Sequence, residues 1–100
     1  MNVDKQLLVD TIKKRVYLAD DQYANYMADR IISEGDDRLE PNLTEWMKGE
    51  PISDLWIGEY CINGIMSIRG DEDFLDALLA MSLYLRDEEA GVITIWRAKQ

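Results

Sequence analysis

Apolar residues recur along the first third of the chain at the spacing that amphipathic helices show. The first stripe predicts a helix over residues 4–18, and its main apolar positions are Leu8, Ile12 and Val16. The second stripe consists of Ala24, Met27, Ala28 and Ile31. Asp20 or Asp21 is the expected N-cap of this second helix, because a carboxylate there accepts a free backbone amide, and Gly35 suits its C-cap. The short link predicts an antiparallel or sharply angled helix pair.

The following stretch predicts a loop and then a short helix. Residues 33–42 combine acidic residues with glycine and proline, which is typical of a loop. Asn42 followed three residues later by Glu45 matches a capping box, in which the two side chains satisfy each other's backbone amides. We therefore predict a short helix over residues 43–48 that ends at Gly49.

Residues 52–70 allow two interpretations. As a helix they place Ile57, Cys61 and Ile65 on one face, but two interior glycines would cost about 1 kcal/mol each. As a strand followed by a helix, residues 52–60 would be extended. We predict a helix from about Cys61 onward and leave residues 52–60 open between strand and helix.

The clearest helical pattern comes next. Residues 71–73 supply the negative first turn that the helix dipole favours, and Arg86 supplies the positive last turn. The apolar face consists of Phe74, Leu75, Leu78, Leu79, Met81, Ser82 and Leu85. The acidic run at residues 87–91 ends the helix, and residues 92–96 have the β-branched and aromatic composition of a strand. Such a strand needs a partner, either residues 52–60 or the edge of another chain.

These elements predict a mainly α fold, a compact bundle of four to five helices to which a short C-terminal two-stranded β element can be added. The 100 residues, 47% of them hydrophobic, are expected to form a single acidic helical domain over residues 1–100. The longest apolar stretch, residues 74–85, is much shorter than the roughly 20 residues of a membrane span. We expect a cytoplasmic protein without a signal peptide or membrane contact.

Composition excludes several classes of site. The chain has no histidine, so Ser-His-Asp and Cys-His nucleophiles and the common Cys/His zinc sites are impossible within it. Cys61 is single and cannot form an intramolecular disulfide, and its apolar neighbours predict a buried thiol. The glycines form no phosphate-binding motif. We expect no catalytic residue, no metal site and no cofactor.

Three groups of carboxylates are candidate sites for a cation or for acid–base chemistry. They lie at residues 20–29, 34–40 and 71–76, and none has EF-hand spacing. A helical domain of this size offers little room for the apolar cleft that raises the pKa of a catalytic carboxyl group. We interpret the groups as helix caps and solvated surface.

The charge balance points to a negative surface. The chain carries 20 acidic and 11 basic residues, a net charge of −9, with acids in both halves. Such a surface repels phosphates and anionic lipids, so direct nucleic-acid binding is not expected. The one basic cluster, residues 13–15, is interpreted as a solvated helix face.

Most aromatic side chains of this chain carry a polar group: there are three tryptophans and five tyrosines but only one phenylalanine. Such rings are enriched at interface hot spots. Tyr23 and Tyr26 flank the apolar stripe of the second helix, Trp46 lies in the short helix, and Trp96 lies in the predicted strand. For any single ring, a position at the rim of a small core is the simpler interpretation. We nevertheless expect at least one of the rings to lie on a surface that binds a partner.

No motif in these residues points to a known family. The pattern favours a non-catalytic protein-binding domain, a monomer or small homo-oligomer, whose acidic surface docks on a basic surface of a protein partner. The residues predicted to carry the docking are Asp71, Asp73, Asp76, Trp46, Trp96, Tyr23 and Tyr26. In its sharper form, the hypothesis is an inhibitor that occupies a nucleic-acid-binding surface as a phosphate mimic, as phage or mobile-element anti-defence proteins do. Salt would weaken such a complex strongly.

The alternative is a homo-oligomeric structural or assembly module with no nucleic-acid-related partner. In that case residues 92–96 pair with their copies across a two-fold axis. Such a module would stay oligomeric at any salt concentration.

Overall fold

In the part of the chain that the structure describes, four α-helices, one 3₁₀ turn and one short β-hairpin follow each other. The computed structural model describes residues 1–50, 52, 55–57, 60–61 and 70–87. The elements are α1 (Lys5–Arg15), α2 (Asp21–Glu34), the 3₁₀ turn (Asp37–Leu39), α3 (Glu40–Met47), β1 (Trp56–Ile57), β2 (Tyr60–Cys61) and α4 (Asp71–Asp87). The predicted mainly helical fold is confirmed for these residues. None of the described helices is long and apolar enough to cross a membrane.

Helices α1 and α2 form the predicted pair, joined by a short loop. Each helix is preceded by an aspartate N-cap: Asp4 accepts the Leu7 amide at 2.9 Å, and Asp20 accepts the Tyr23 amide at 2.7 Å. Their buried faces consist of Leu8, Val9, Ile12, Ala24, Met27, Ala28 and Ile31. Leu18 in the connecting loop has a φ of 61°, a left-handed conformation that costs a non-glycine residue free energy.

The end of α2 requires glycine for space. Gly35 caps α2 in an extended conformation, with φ −65° and ψ 140°, which any residue can adopt. A Cβ atom at this position would collide with the carbonyl oxygen of Ile31 and press on the side chain of Met1. The predicted C-cap is therefore confirmed, and close packing explains why it is glycine.

The predicted loop over residues 33–42 and the capping box at Asn42 are wrong. Helix α3 begins three residues earlier than predicted, and Asn42 lies buried inside it. The chain turns early because Asp36 accepts the Arg38 amide at 2.9 Å and also pairs with the Arg38 guanidinium, which organises the 3₁₀ turn. Pro41 fits the first turn of α3, where a backbone amide would have no intrahelical partner.

Residues that the sequence leaves open form an antiparallel hairpin. Strands β1 and β2 pair in the register Trp56–Cys61 and Ile57–Tyr60. A helix beginning at Cys61 is therefore wrong at that residue, because Tyr60 and Cys61 pair with β1 instead. The rest of that predicted helix, residues 62–69, and the predicted strand at residues 92–96 lie outside the described residues. The buried Cys61 thiol stays a prediction.

Helix α4 matches its predicted bounds and packs beside α2. Its buried side chains are Phe74, Leu75, Ala77, Leu78, Met81, Ser82 and Leu85. Its first turn contacts the end of α1, since Arg15 and Asp71 form an ion pair at 2.9 Å. Its last turns contact the chain after α2, where the Asp36 amide donates to Ser82 Oγ at 2.9 Å. These two contacts make α4 run in the same general direction as α2.

Candidate functional site

Three of the predicted docking residues lie on one surface, where the edges of α2 and α4 adjoin. We call this surface the α2/α4 face. Its members are Asp20, Gln22, Tyr23, Tyr26, Met27, Arg30 and Glu34 from α2 and its N-cap, and Asp76, Leu79, Ala80, Leu83 and Arg86 from α4. The fold thus places Tyr23, Tyr26 and Asp76 on the same face, although 50 residues separate the last two in the sequence.

The N-terminal half of α2 carries a shallow, mainly apolar hollow of about 530 Å³ on this face. Helical spacing places Tyr23, Tyr26 and Met27 side by side, because residues three and four apart are neighbours on a helix surface. Met27 is buried, Tyr23 is half-buried against the core, and Tyr26 is 59% exposed. A ring in this position retains apolar area that a partner can still bury.

A groove of about 270 Å³ separates the remaining parts of α2 and α4. Its α4 side contains Leu79, Ala80 and Leu83, and the Leu83 side chain is 58% exposed. Arg30 joins the groove to the hollow, because it lines the groove while its guanidinium carbon lies 5.7 Å from the centroid of the Tyr26 ring. Hollow and groove therefore form one continuous surface.

Charged side chains line both the groove and the hollow of the α2/α4 face. In the groove, Arg30 Nε donates to Glu34 Oε2 at 2.8 Å. This hydrogen bond lowers the pKa of Glu34 and raises that of Arg30, and the nearby Arg86 lowers the pKa of Glu34 further. Asp76 lines the same groove, and Asp20 lines the hollow. The groove therefore holds two guanidinium groups and two carboxylates, and the hollow holds one carboxylate.

Trp46 lies in the core and not on the α2/α4 face. Its side chain is fully buried and stacks on Phe74, with ring centroids 5.3 Å apart and an interplanar angle of 23°. The indole Nε1 donates to Asp71 Oδ1 at 2.7 Å. In this fold the ring is not available to a partner, so the prediction that Trp46 anchors one has no support in the structure.

Asp71 is held in a cluster that links three helices. Its Oδ1 lies 2.9 Å from Arg15 Nη2, and the Arg15 guanidinium carbon lies 4.9 Å from the centroid of the Trp46 ring. Arg15 also donates a hydrogen bond to the Trp46 carbonyl oxygen. About one third of the Asp71 side chain is exposed, while Arg15 is mostly buried. The Asp71 charge is therefore engaged by a cation of the same chain, and Asp71 positions Trp46.

Asp73 is half-buried in the first turn of α4 and does not line the α2/α4 face. The remaining predicted docking residue, Trp96, lies outside the described residues. Sequence reasoning missed Arg30 and Leu83. The signal for Leu83 was its spacing from Leu79, since residues four apart share one helix face, here the edge beside the main apolar stripe.

The α2/α4 face is an apolar surface with charged side chains at its edges, an arrangement that can contact another molecule. Within the described ranges, no three side chains of the types that bind metals converge on a point that could hold an ion. Comparisons with protein-family models, with curated proteins and with solved structures find no match to this chain. The function therefore has to be inferred from the α2/α4 face.

Proposed function

We propose that the protein is a non-catalytic protein-binding domain that docks through the α2/α4 face on a basic surface of a protein partner. One observation carries the proposal: the face combines an exposed tyrosine, Tyr26, and an exposed leucine, Leu83, with a hollow and a groove between charged edges. Contiguous apolar surface with a polar rim is typical of an interaction site on a soluble protein.

Tyr26 is the proposed anchor residue. It lies where the hollow meets the groove, so a partner that covers both would bury its ring near the centre of the interface. Residues at the centre of an interface contribute most of the binding energy, and tyrosine is enriched among them. A tyrosine side chain also loses little conformational entropy on binding, because it has only two rotatable torsions.

The charge of the whole protein supports a basic partner. A net charge of −9 attracts a positive surface over long range, which speeds association and makes it sensitive to salt. Asp20 and Asp76 supply carboxylates on the face itself. Basic protein surfaces commonly serve to hold nucleic-acid phosphates. The sharper proposal is an inhibitor that occupies such a surface with carboxylates in place of phosphates.

The test is capture of a partner by the immobilised 100-residue chain from a nuclease-treated lysate of the source cell, eluted with a salt gradient. The Tyr26→Ala variant removes the proposed anchor. Tyr84→Ala is its matched control, because Tyr84 is also about half exposed but does not line the α2/α4 face. We expect a basic protein that the wild type and Tyr84→Ala both capture, that Tyr26→Ala captures at least tenfold less, and that rising salt releases.

Three further results distinguish the inhibitor, docking through this face and the assembly module from one another. Loss of the partner's DNA or RNA binding on addition of this protein would support the inhibitor, and unchanged nucleic-acid binding would contradict it. Equal capture by Tyr26→Ala and Tyr84→Ala would refute docking through this face. Recovery of the protein alone, as an oligomer that salt does not dissociate, would favour the homo-oligomeric assembly module instead.

A further inference from the structure

We infer that a pocket between α1 and the end of α3 binds a small organic anion in which a carboxylate is joined to a short apolar chain. The pocket has a volume of about 400 Å³, a size typical of small-molecule sites. Its lining residues are Leu7, Asp10, Thr11, Lys14, Arg15, Met47, Lys48 and Gly49, and we call it the α1/α3 pocket. It shares no residue with the α2/α4 face, so the inference does not rest on the proposed function.

Arg15 holds the two walls of the pocket together. Its mostly buried side chain donates a hydrogen bond to the Trp46 carbonyl oxygen in the last turn of α3 and forms the ion pair with Asp71 at 2.9 Å. These contacts fix the last turn of α1 against the last turn of α3. A ligand therefore meets a preformed pocket and loses little free energy to ordering it.

The α1/α3 pocket is cationic in an acidic protein. Three of its eight lining residues are cations and one is a carboxylate, although the chain has a net charge of −9. Neither Lys14 nor Lys48 forms an ion pair with any residue that the structure describes. The carboxylate, Asp10, accepts a hydrogen bond from the Gln6 amide at 3.0 Å. Both ammonium groups can therefore donate to a bound anion.

Apolar side chains line the pocket beside these cations. Leu7 is 54% exposed, and Met47 is half-buried against the core. Leu7 and Lys14 lie on the same stripe of α1, seven helical steps or about 10 Å apart. A carboxylate of eight carbons has about this length, since each carbon of an extended chain adds roughly 1.3 Å. Its chain would cover Leu7 and Met47 while its carboxylate reaches Lys14.

The charge of the whole protein favours a small anion over a polyanion. A nucleic acid or an anionic membrane would extend beyond the pocket over the acidic surface, which repels it. At physiological salt, interactions between exposed charges are largely screened beyond about 8 Å. A small anion inside the pocket therefore interacts mainly with the lysines that line it.

The inference is tested by isothermal titration calorimetry of the 100-residue chain with three probes. Octanoate has both features of the ligand, octanamide has the same chain without the charge, and acetate has the charge without the chain. We expect octanoate to bind about tenfold more tightly than either of the others, because only octanoate uses both the lysines and the apolar wall. Equal affinities of octanoate and octanamide, or no binding of octanoate, would overturn the inference.

Matched variants locate the binding. Lys14→Gln should weaken octanoate binding about fivefold, whereas Lys13→Gln should change it less than about twofold, because Lys13 is also exposed but does not line the pocket. Both variants change the net charge equally, so the difference between them reports the local contact. Leu7→Ser should also weaken octanoate, while Leu83→Ser, at a similarly exposed leucine outside the pocket, should not. Equal affinities within either pair would refute binding in this pocket.

Discussion

Replacing Asp71 by alanine tests the structural role that the fold assigns to this carboxylate. The change removes the acceptor of the Trp46 indole hydrogen bond at 2.7 Å and the ion pair with Arg15 at 2.9 Å. It leaves the stacking of Trp46 on Phe74 in place. The expected result is a folded but less stable protein, because a fully buried indole N–H loses its partner.

The magnitude follows from the burial of each group. An unsatisfied buried donor costs about 1–3 kcal/mol, and the partial exposure of Asp71 lets water reach the vacated position, which favours the lower half of this range. A partly exposed ion pair adds less than about 1 kcal/mol. We therefore expect Asp71→Ala to lower the free energy of unfolding by about 2 kcal/mol, and Tm by about 10 °C for a domain of this size.

The measurement is urea and thermal unfolding followed by far-ultraviolet circular dichroism. Asp76→Ala is the control, because Asp76 is exposed on the same helix and its removal should change the free energy of unfolding by less than about 0.5 kcal/mol. A double-mutant cycle with Trp46→Phe isolates the indole bond, since phenylalanine keeps a ring but has no N–H. In that background Asp71→Ala should cost less than about 1 kcal/mol. An equal cost of Asp71→Ala in both backgrounds would refute the reasoning.

The remaining predictions concern the loop contacts and the turn between α1 and α2. Ser82→Ala should lower the free energy of unfolding by about 1–2 kcal/mol, because buried Ser82 Oγ accepts the Asp36 amide. Ser33→Ala removes only hydrogen bonds to its own helix and should change the free energy of unfolding by less than about 0.5 kcal/mol, so equal urea midpoints of the two variants would contradict this. Leu18→Gly should stabilise by about 0.5 kcal/mol, because it relieves a left-handed φ at a side chain that is 83% exposed. Tyr17→Gly, also in an exposed position but without a positive φ, should destabilise, and the thermal midpoints of the two variants must shift in opposite directions. The hydrogen-bonded guanidinium beside Asp36 lowers the pKa of this carboxyl from its ordinary 3.8, so the stabilisation is present above that pH and is lost as the pH falls through the lowered pKa. Asp36→Asn should therefore destabilise at neutral pH, and its difference from wild type should shrink as the pH falls below 3.8; a difference from wild type that does not depend on pH would contradict the assignment.

Most of the helical architecture could be predicted because its signals are local. The aspartate N-cap of α2 bonds an amide three residues along the chain, and a stripe such as that of α4 repeats within one or two turns. The predictions for Asn42 and Cys61 were wrong because another interaction outweighed the local sequence signal at each residue. Asn42 could have capped a helix, but the Asp36–Arg38 contact turns the chain earlier, and Cys61 pairs across a hairpin with a residue on another strand.

The candidate site shows the same division. The sequence alone determined that Tyr23 and Tyr26 flank a buried stripe, because helix geometry alone sets that relation. Only the tertiary structure decided that Trp46 is buried with Asp71 as its acceptor, since the two residues are 25 positions apart and meet only when α3 and α4 pack. The same packing brought Asp76 of α4 and Arg30 of α2 to one groove. A sequence pattern shows which residues share a face of their own helix, but which faces meet depends on how all the helices bury their apolar surface together.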